Sequence, residues 1–326
     1  MDLERAFSKP KLLRALTSLE VGEFERLLGR FAAQHGLARQ RRTWDGQKRQ
    51  RSPGAGNLGA LPTSRAKLLF ILFYFKCYPL QEVMAFLFGM SQPQVSVWVG
   101  QLTPLINAAL GRELHRPARR PADLERLLAE VPELRLLIID STERPVRRSK
   151  DHDQQRQDYS GKKKAHRKKN LLVTAERRVV YLGPTVGGSR HDKTLAAESR
   201  LRFPADALLL KDSGLQDYEP AGVRTLQPKK KPKSRELRAY EKAINRVVCR
   251  ARIVVEHAMA GIKRCRIVTD TFRNWRKDLV DEVMLAACGL HNLRESYRAV
   301  PEACLQTVTS LHPLHPIKFD DIIRTY

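Results

Sequence analysis

Residues 134–140 read LRLLIID, an apolar run that closes on an acid, Asp140. A short, nearly unbroken apolar run of this kind marks a strand buried on both faces of a sheet. Working outward, NLLVTA (170–175) and VVYLGPTVGG (179–188) read as two strands joined by the polar turn ERR. HDKTLAAESRL (191–201) reads as a helix, and ALLLKDSG (207–214) as another buried strand ending at Asp212. A lysine-rich excursion at 216–240, containing LQPKKKPKSRE, precedes a long helix over about Glu236 to Ile267. Strand, strand, strand, helix, strand, excursion, helix is the order of the ribonuclease H-like fold. The expected fold class is therefore α/β, a mixed sheet flanked by helices.

In that order the acids closing the first and fourth strands, Asp140 and Asp212, converge on one edge of the sheet, and a third acid is expected from the later helix. Ile244, Val247, Val248, Ala251, Val255, Ala258 and Ile262 form that helix's apolar stripe. At about 100° per residue, Asn245, Arg252, Glu256 and Lys263 fall together on one flank. Glu256 is thus carried at the margin of the buried face, one turn after Arg252. Three carboxylates without other partners repel one another, so divalent cations are what make such a trio stable. The chemistry it suits is phosphodiester transfer, in which two metal ions about 3.5–4 Å apart clamp the attacking and leaving oxygens. Oxygen-only ligands favour Mg²⁺ or Mn²⁺ over zinc. Asp140, Asp212 and Glu256 are the expected catalytic and metal-binding residues. Asp192 rivals Asp212, but the start of a helix gives it an ordinary role as a cap or first-turn acid.

Upstream the pattern is helical. Residues 1–38 suggest two short helices broken around Glu20 to Gly22, and 39–63 form a basic, Gly/Pro-rich linker. From 64 to 112 the chain is compact and all-α. Ser64 is placed to cap a helix that stops before Pro79, LQEVMAFLFG is a short helix ended by Gly89, and SQPQVSVWVGQL is the next, with Ser91 as N-cap. This is a helix-turn-helix arrangement whose second helix presents Gln92, Gln94, Ser96 and Gln101 outward. Glutamine suits adenine edges in the major groove, and serine suits phosphates or mixed edges. A Pro/Arg-rich hinge at 113–133 leads to the sheet region, taken as 134–296, with a tail at 297–326.

Sixty Lys and Arg against 35 Asp and Glu give a net charge of +25, with a sequence pI near 10.3. Such an excess implies a polyanionic partner, since phosphate contacts release condensed counterions. The run Lys162, Lys163, Lys164, His166, Arg167, Lys168 and Lys169 after Tyr159-Ser160-Gly161 is either a solvated hairpin or a clamp on phosphates. Arg252 and Lys263 are further expected DNA contacts, and Lys229, Lys230, Lys231 and Lys233 a weaker second basic patch. The longest apolar stretch, LLFILFYF (68–75), is too short to span a membrane. MDLERAFSKPK lacks the apolar segment of a secretory signal, so the expected compartment is cytoplasm or nucleoid. Five scattered cysteines without a CxxC pair argue against a disulfide framework or a zinc site. No phosphate-binding GxxxxGK[ST] loop is present, so no nucleotide cofactor is expected.

Read together, IIDST, YSGKKKAH, TVGGSRHDKT, LLLKDSGLQDY and RARIVVEHAMAGIKR, followed by AACGLHNL, resemble the DDE superfamily endonuclease domain of Harbinger-related transposases of bacterial insertion sequences. SRAKLLFILFYFKCYPLQEVMAFLFGMSQPQVSVWV resembles the helix-turn-helix that precedes that domain. The similarity runs from about Pro62 to Asn292. It implies Mg²⁺-dependent cleavage at terminal inverted repeats and strand transfer to a short target, with the family's acids falling on Asp140, Asp212 and Glu256. Double-stranded DNA, as transposon ends and target, is the implied partner. A homodimer or higher assembly is expected because two ends must be joined. The alternative is a sequence-specific DNA-binding protein, derived from a transposase, that has lost catalysis. Two departures stand out: Leu215 follows the second motif where the family often has an aromatic residue, and Glu143 adds an acid to the first motif.

Overall fold

The computed structural model describes residues 1–41, 47–48, 50, 59–111, 115–175, 177–232, 234–274, 276 and 278–298. Most of the predicted basic linker, Lys233, Cys304 and the tail beyond Arg298 lie outside the described residues. The chain divides into two compact units. One comprises Met1–Pro117, Arg144–Lys168 and Gly261–Tyr297, and the other is built on Ala118–Glu143 and Lys169–Ala260.

The first unit opens with α1 (Leu3–Ser8), α2 (Pro10–Thr17) and α3 (Val21–Arg41). Three helices stand where the sequence suggests two. Lys9 is extended, as the residue before a proline prefers, and Pro10 starts α2 in its first turn. In α4 (Ser64–Cys77) every residue from Ala66 to Phe75 is buried, so this helix runs through the core rather than along it. Its cap is Thr63, one residue earlier than expected, whose hydroxyl accepts from the Ala66 N–H at 3.0 Å. α5 (Gln81–Phe88) ends where Gly89 adopts a left-handed φ of 64°. α6 (Gln92–Gly111) extends well past the predicted Leu102 and accommodates Pro104. It packs on α11 (Leu279–Glu295), and at Gly289 an added Cβ would lie 2.9 Å from Leu110. The same unit holds α8 (His152–Asp158) and a hairpin in which Tyr159 and Ser160 (β2) pair with His166 and Ala165 at the start of β3 (Ala165–Ala175).

The second unit is built on the sheet. β1 (Leu136–Pro145) pairs in parallel with β6 (Leu208–Lys211), which pairs in parallel with β7 (Arg224–Leu226). β3 pairs antiparallel with β4 (Arg178–Leu182). Within this unit the strand order is β3-β1-β6-β7, with β4 and β5 (Val186–Gly187) also on β3. Leu137, Ile139, Leu171, Val173 and Leu209 share one core with Leu124 and Leu128 of α7 (Pro121–Glu130) and with Leu195 and Ala196 of α9 (Asp192–Glu198). Ile138 and Leu210 point the other way, against Val255 of α10 (Ala239–Ile262). A mixed sheet covered by helices is the ribonuclease H-like arrangement.

α10 is shorter than the predicted 236–267. Before it, the chain wraps around Glu241, whose carboxylate takes Arg235 at 2.8 Å, Lys229 at 2.6 Å and the Arg238 N–H at 2.8 Å. After Ile262 the chain turns, and Cys265, Ile267 and Val268 bury themselves in that turn. Of the predicted stripe, Val248, Val255, Ala258 and Ile262 are buried. The side chains of Ile244, Val247 and Ala251 lie outside those described. Among the described residues, Cys77, Cys249, Cys265 and Cys288 are not joined in disulfides. Among the described residues, no helix is long and apolar enough to cross a membrane.

Candidate active site

β1 does not end on Asp140 but runs five residues further, to Pro145. What stops at Asp140 is its pairing with β6. The last partners are Ile139 and Lys211, after which the chain from Asp212 enters a tight turn closed by the Leu215 N–H on the Asp212 carbonyl at 2.9 Å. Asp140 and Asp212 therefore follow directly on neighbouring parallel strands, whose backbones lie about 4.8 Å apart. Side chains alternate along a strand, so Asp140 shares its face with Ile138, and Asp212 continues that of Leu210. That is the face covered by α10. From that helix, Arg252 donates to Asp212 Oδ1 at 2.7 Å.

Burial pushes the Asp140 carboxyl up to about 6, and the charges of Asp212 and Asp192 add to this. The Ser141 N–H, 2.7 Å from Asp140 Oδ1, and the Arg252 guanidinium oppose it. A carboxyl in low-dielectric surroundings beside other carboxylates holds its proton more tightly.

Asp192 occupies the first turn of α9, as its position in the sequence predicts. Its carboxylate is engaged: Ser141 Oγ donates to Oδ1 at 2.7 Å and Lys169 Nζ at 3.0 Å. Gly214 leaves room for Oδ2, which a Cβ there would approach to 3.2 Å. Glu143 lies 3.3 Å from the same Lys169 Nζ. Sequence reasoning assigned Ser141 no part and left Lys169 as one more member of a basic run. Its only signal was its place at the seam between that run and the apolar strand. Leu215 is buried in the sheet core, which accounts for an aliphatic residue there.

Glu256 lies on α10 one turn after Arg252, next to the buried Val255, with its side chain exposed. Among the described residues no three His, Cys, Asp or Glu side chains are gathered as a metal ion would need. The donors nevertheless fit an oxygen-liganded divalent cation in kind: two neighbouring carboxylates, one raised by burial and less by the other's charge, with a glutamate on the helix whose Arg252 meets Asp212.

The predicted DNA contacts fare differently. Gln94 accepts from the Ser91 N–H at 2.9 Å, closing a capping box at the start of α6. Gln92 donates to Gln81 at the start of α5. Ser96 is exposed. Lys162, Lys163 and Lys164 lie exposed in the hairpin turn, whereas Lys168 is committed to Asp158 at 2.7 Å. Lys263 sits in the turn beyond α10 rather than on its flank, because the helix stops at Ile262. In the excursion, Lys229 and Lys231 pair with Glu241 and Glu236.

A family model described as DDE superfamily endonuclease matches residues 139–292, which begin one residue before Asp140. The chain resembles a DDE superfamily endonuclease. A second model, described as the helix-turn-helix of that endonuclease, matches residues 59–112, which contain α4, α5 and α6. A probable transposase for insertion sequence element IS702 from Microchaete diplosiphon is 27% identical over 210 residues, covering 64% of this chain and 72% of that relative. No solved structure matches the chain. The DDE-like match contains all four acids, Asp140, Asp192, Asp212 and Glu256.

Proposed function

We propose that this chain is the transposase of an insertion sequence. It binds terminal inverted repeats and catalyses DNA strand cleavage and strand transfer with Mg²⁺ or Mn²⁺. The observation that carries this reading is the adjacency of Asp140 and Asp212 at the point where β1 and β6 part, with Asp140 raised to about 6 by burial and by its neighbours. Asp140, Asp212 and Glu256 would hold the cations. When bound, such ions lower the pKa of an attacking water or hydroxyl and neutralise charge on the phosphodiester. Arg252, which donates to Asp212, would orient that carboxylate and could also meet a DNA phosphate. Ser96 on α6 and the Lys162–Lys164 turn supply groove and phosphate contacts, and the helix-turn-helix and sheet regions act as separate modules of one chain. The assembly is a dimer or larger, since two ends must be joined, and its place of action is the nucleoid.

The test is nicking of a labelled duplex carrying the element's terminal repeat. With Mg²⁺, the parent chain is expected to nick at the repeat end. Asp140→Asn and Asp212→Asn should each lose roughly a hundredfold or more, as removal of groups that stabilise a transition state typically does. Full activity of Asp212→Asn would refute the assignment. The pairing of Arg252 with Asp212, and the exposure of Glu256, favour one second reading, a DNA-binding protein without catalysis. Repeat-specific binding with no nicking in Mg²⁺ or Mn²⁺ would support it.

A further inference from the structure

Lys169 is 6% exposed, and an ammonium that deep must be paired. Its Nζ lies 2.9 Å from the Arg190 carbonyl, 3.0 Å from Asp192 Oδ1 and 3.3 Å from Glu143 Oε1. Three partners match the three donors of an ammonium. Two of them are carboxylates, and Asp192 borders the candidate ion site. Asp192 is tied to Ser141, the residue after Asp140, and packs against Gly214, two residues after Asp212. Its charge is felt at Asp140. A single buried cation is thus bonded to two carboxylates, one of which acts on Asp140.

We infer that Lys169 is a built-in counter-cation that keeps Asp192 and Glu143 from acting as metal ligands, leaving Asp140 and Asp212 as the paired donors; this rests on the metal-dependent reading above. An ammonium does this with fixed geometry, because its Nζ holds Asp192 Oδ1 and Glu143 Oε1 at once. Lys169 is accordingly a positioning residue, setting how many oxygens the site offers a divalent ion.

The experiment is Mn²⁺ titration of the full chain, without DNA, followed by the electron paramagnetic resonance signal of free Mn²⁺. Lys169→Met should bind Mn²⁺ roughly tenfold more tightly than the parent, or take up an additional ion, because a nearby positive charge is gone and two carboxylates are released. The double variant Lys169→Met/Asp192→Asn should return towards the parent. Parent-like affinity and stoichiometry in Lys169→Met would overturn the inference. If that variant does not fold by circular dichroism, Asp192→Asn alone decides. It should bind Mn²⁺ like the parent, and a tenfold loss would make Asp192 a ligand and overturn the inference. Asp140→Asn separates the two levels. If it binds Mn²⁺ as the parent does, the metal-dependent reading itself falls. If it loses Mn²⁺ while Lys169→Met changes nothing, only the role of Lys169 falls.

Discussion

Asp140 keeps its proton up to about pH 6, against an ordinary value of 3.8, because burial and neighbouring carboxylates disfavour its charged form. Between those values the folded chain binds more protons than the unfolded one. The stability Asp140 contributes as a neutral acid is therefore fully present below about pH 4 and is lost as pH rises through about 6. Asp140→Asn abolishes this loss. Without metal, the variant should exceed the parent by on the order of 2–3 kcal/mol at pH 8, with the gap closing near pH 4, as read by urea unfolding. A constant gap across that range would show that the carboxyl is not raised. Mg²⁺ should reverse the order at pH 8, since a ligand that binds only the folded parent stabilises it.

The elements carrying these residues depend on a few close approaches and caps. Gly89 ends α5 at φ 64° with nothing within 4 Å of an added Cβ, so Gly89→Ala meets no clash and costs about 1 kcal/mol of pure backbone strain. Gly261, near the end of α10, differs: a Cβ there would lie 2.2 Å from Nδ1 of the buried His291 on α11. Gly261→Ala should cost about 1–3 kcal/mol through overpacking, measured by denaturant unfolding. Gln94 and Ser96 can be told apart in the same way. Gln94→Ala should lower stability by about 0.5–1 kcal/mol through the lost capping box, whereas Ser96→Ala should leave unfolding unchanged and weaken repeat binding. Equal stability for both would remove the capping role from Gln94.

Over the whole molecule, the +25 charge makes association with DNA salt-dependent. The basic residues are not equivalent, however. Lys168, Lys169, Lys211, Lys229 and Arg235 are held by acids inside the protein, while Lys162, Lys163 and Lys164 are exposed in a turn. Reversing those three to Glu should reduce the slope of log affinity against log salt by about 3, since each phosphate contact contributes about 0.9. Reversal at Lys229 and Lys231 should act on stability instead, through Glu241 and Glu236. An unchanged salt slope in the first variant would exclude the turn from the DNA contact.

Pattern alone was enough to identify the buried strands, the amphipathic helix after them and the Gly89 turn, and to put Asp140 and Asp212 next to the paired strand residues, because apolar periodicity and turn residues act over a few positions. The family resemblance, too, rests on local motifs. Where β1 ends, where α10 stops and which residue caps α4 were decided by partners distant along the chain or by competition between adjacent candidates such as Thr63 and Ser64. The division of labour among charges belonged wholly to the tertiary structure. A lysine in a basic run looks like its neighbours until folding buries Lys169 between Asp192 and Glu143. Sequence places Arg252 one turn before Glu256, but only folding shows that α10 lays its guanidinium on Asp212. Charge is written residue by residue, but which charges neutralise one another depends on distances that only the packed chain sets.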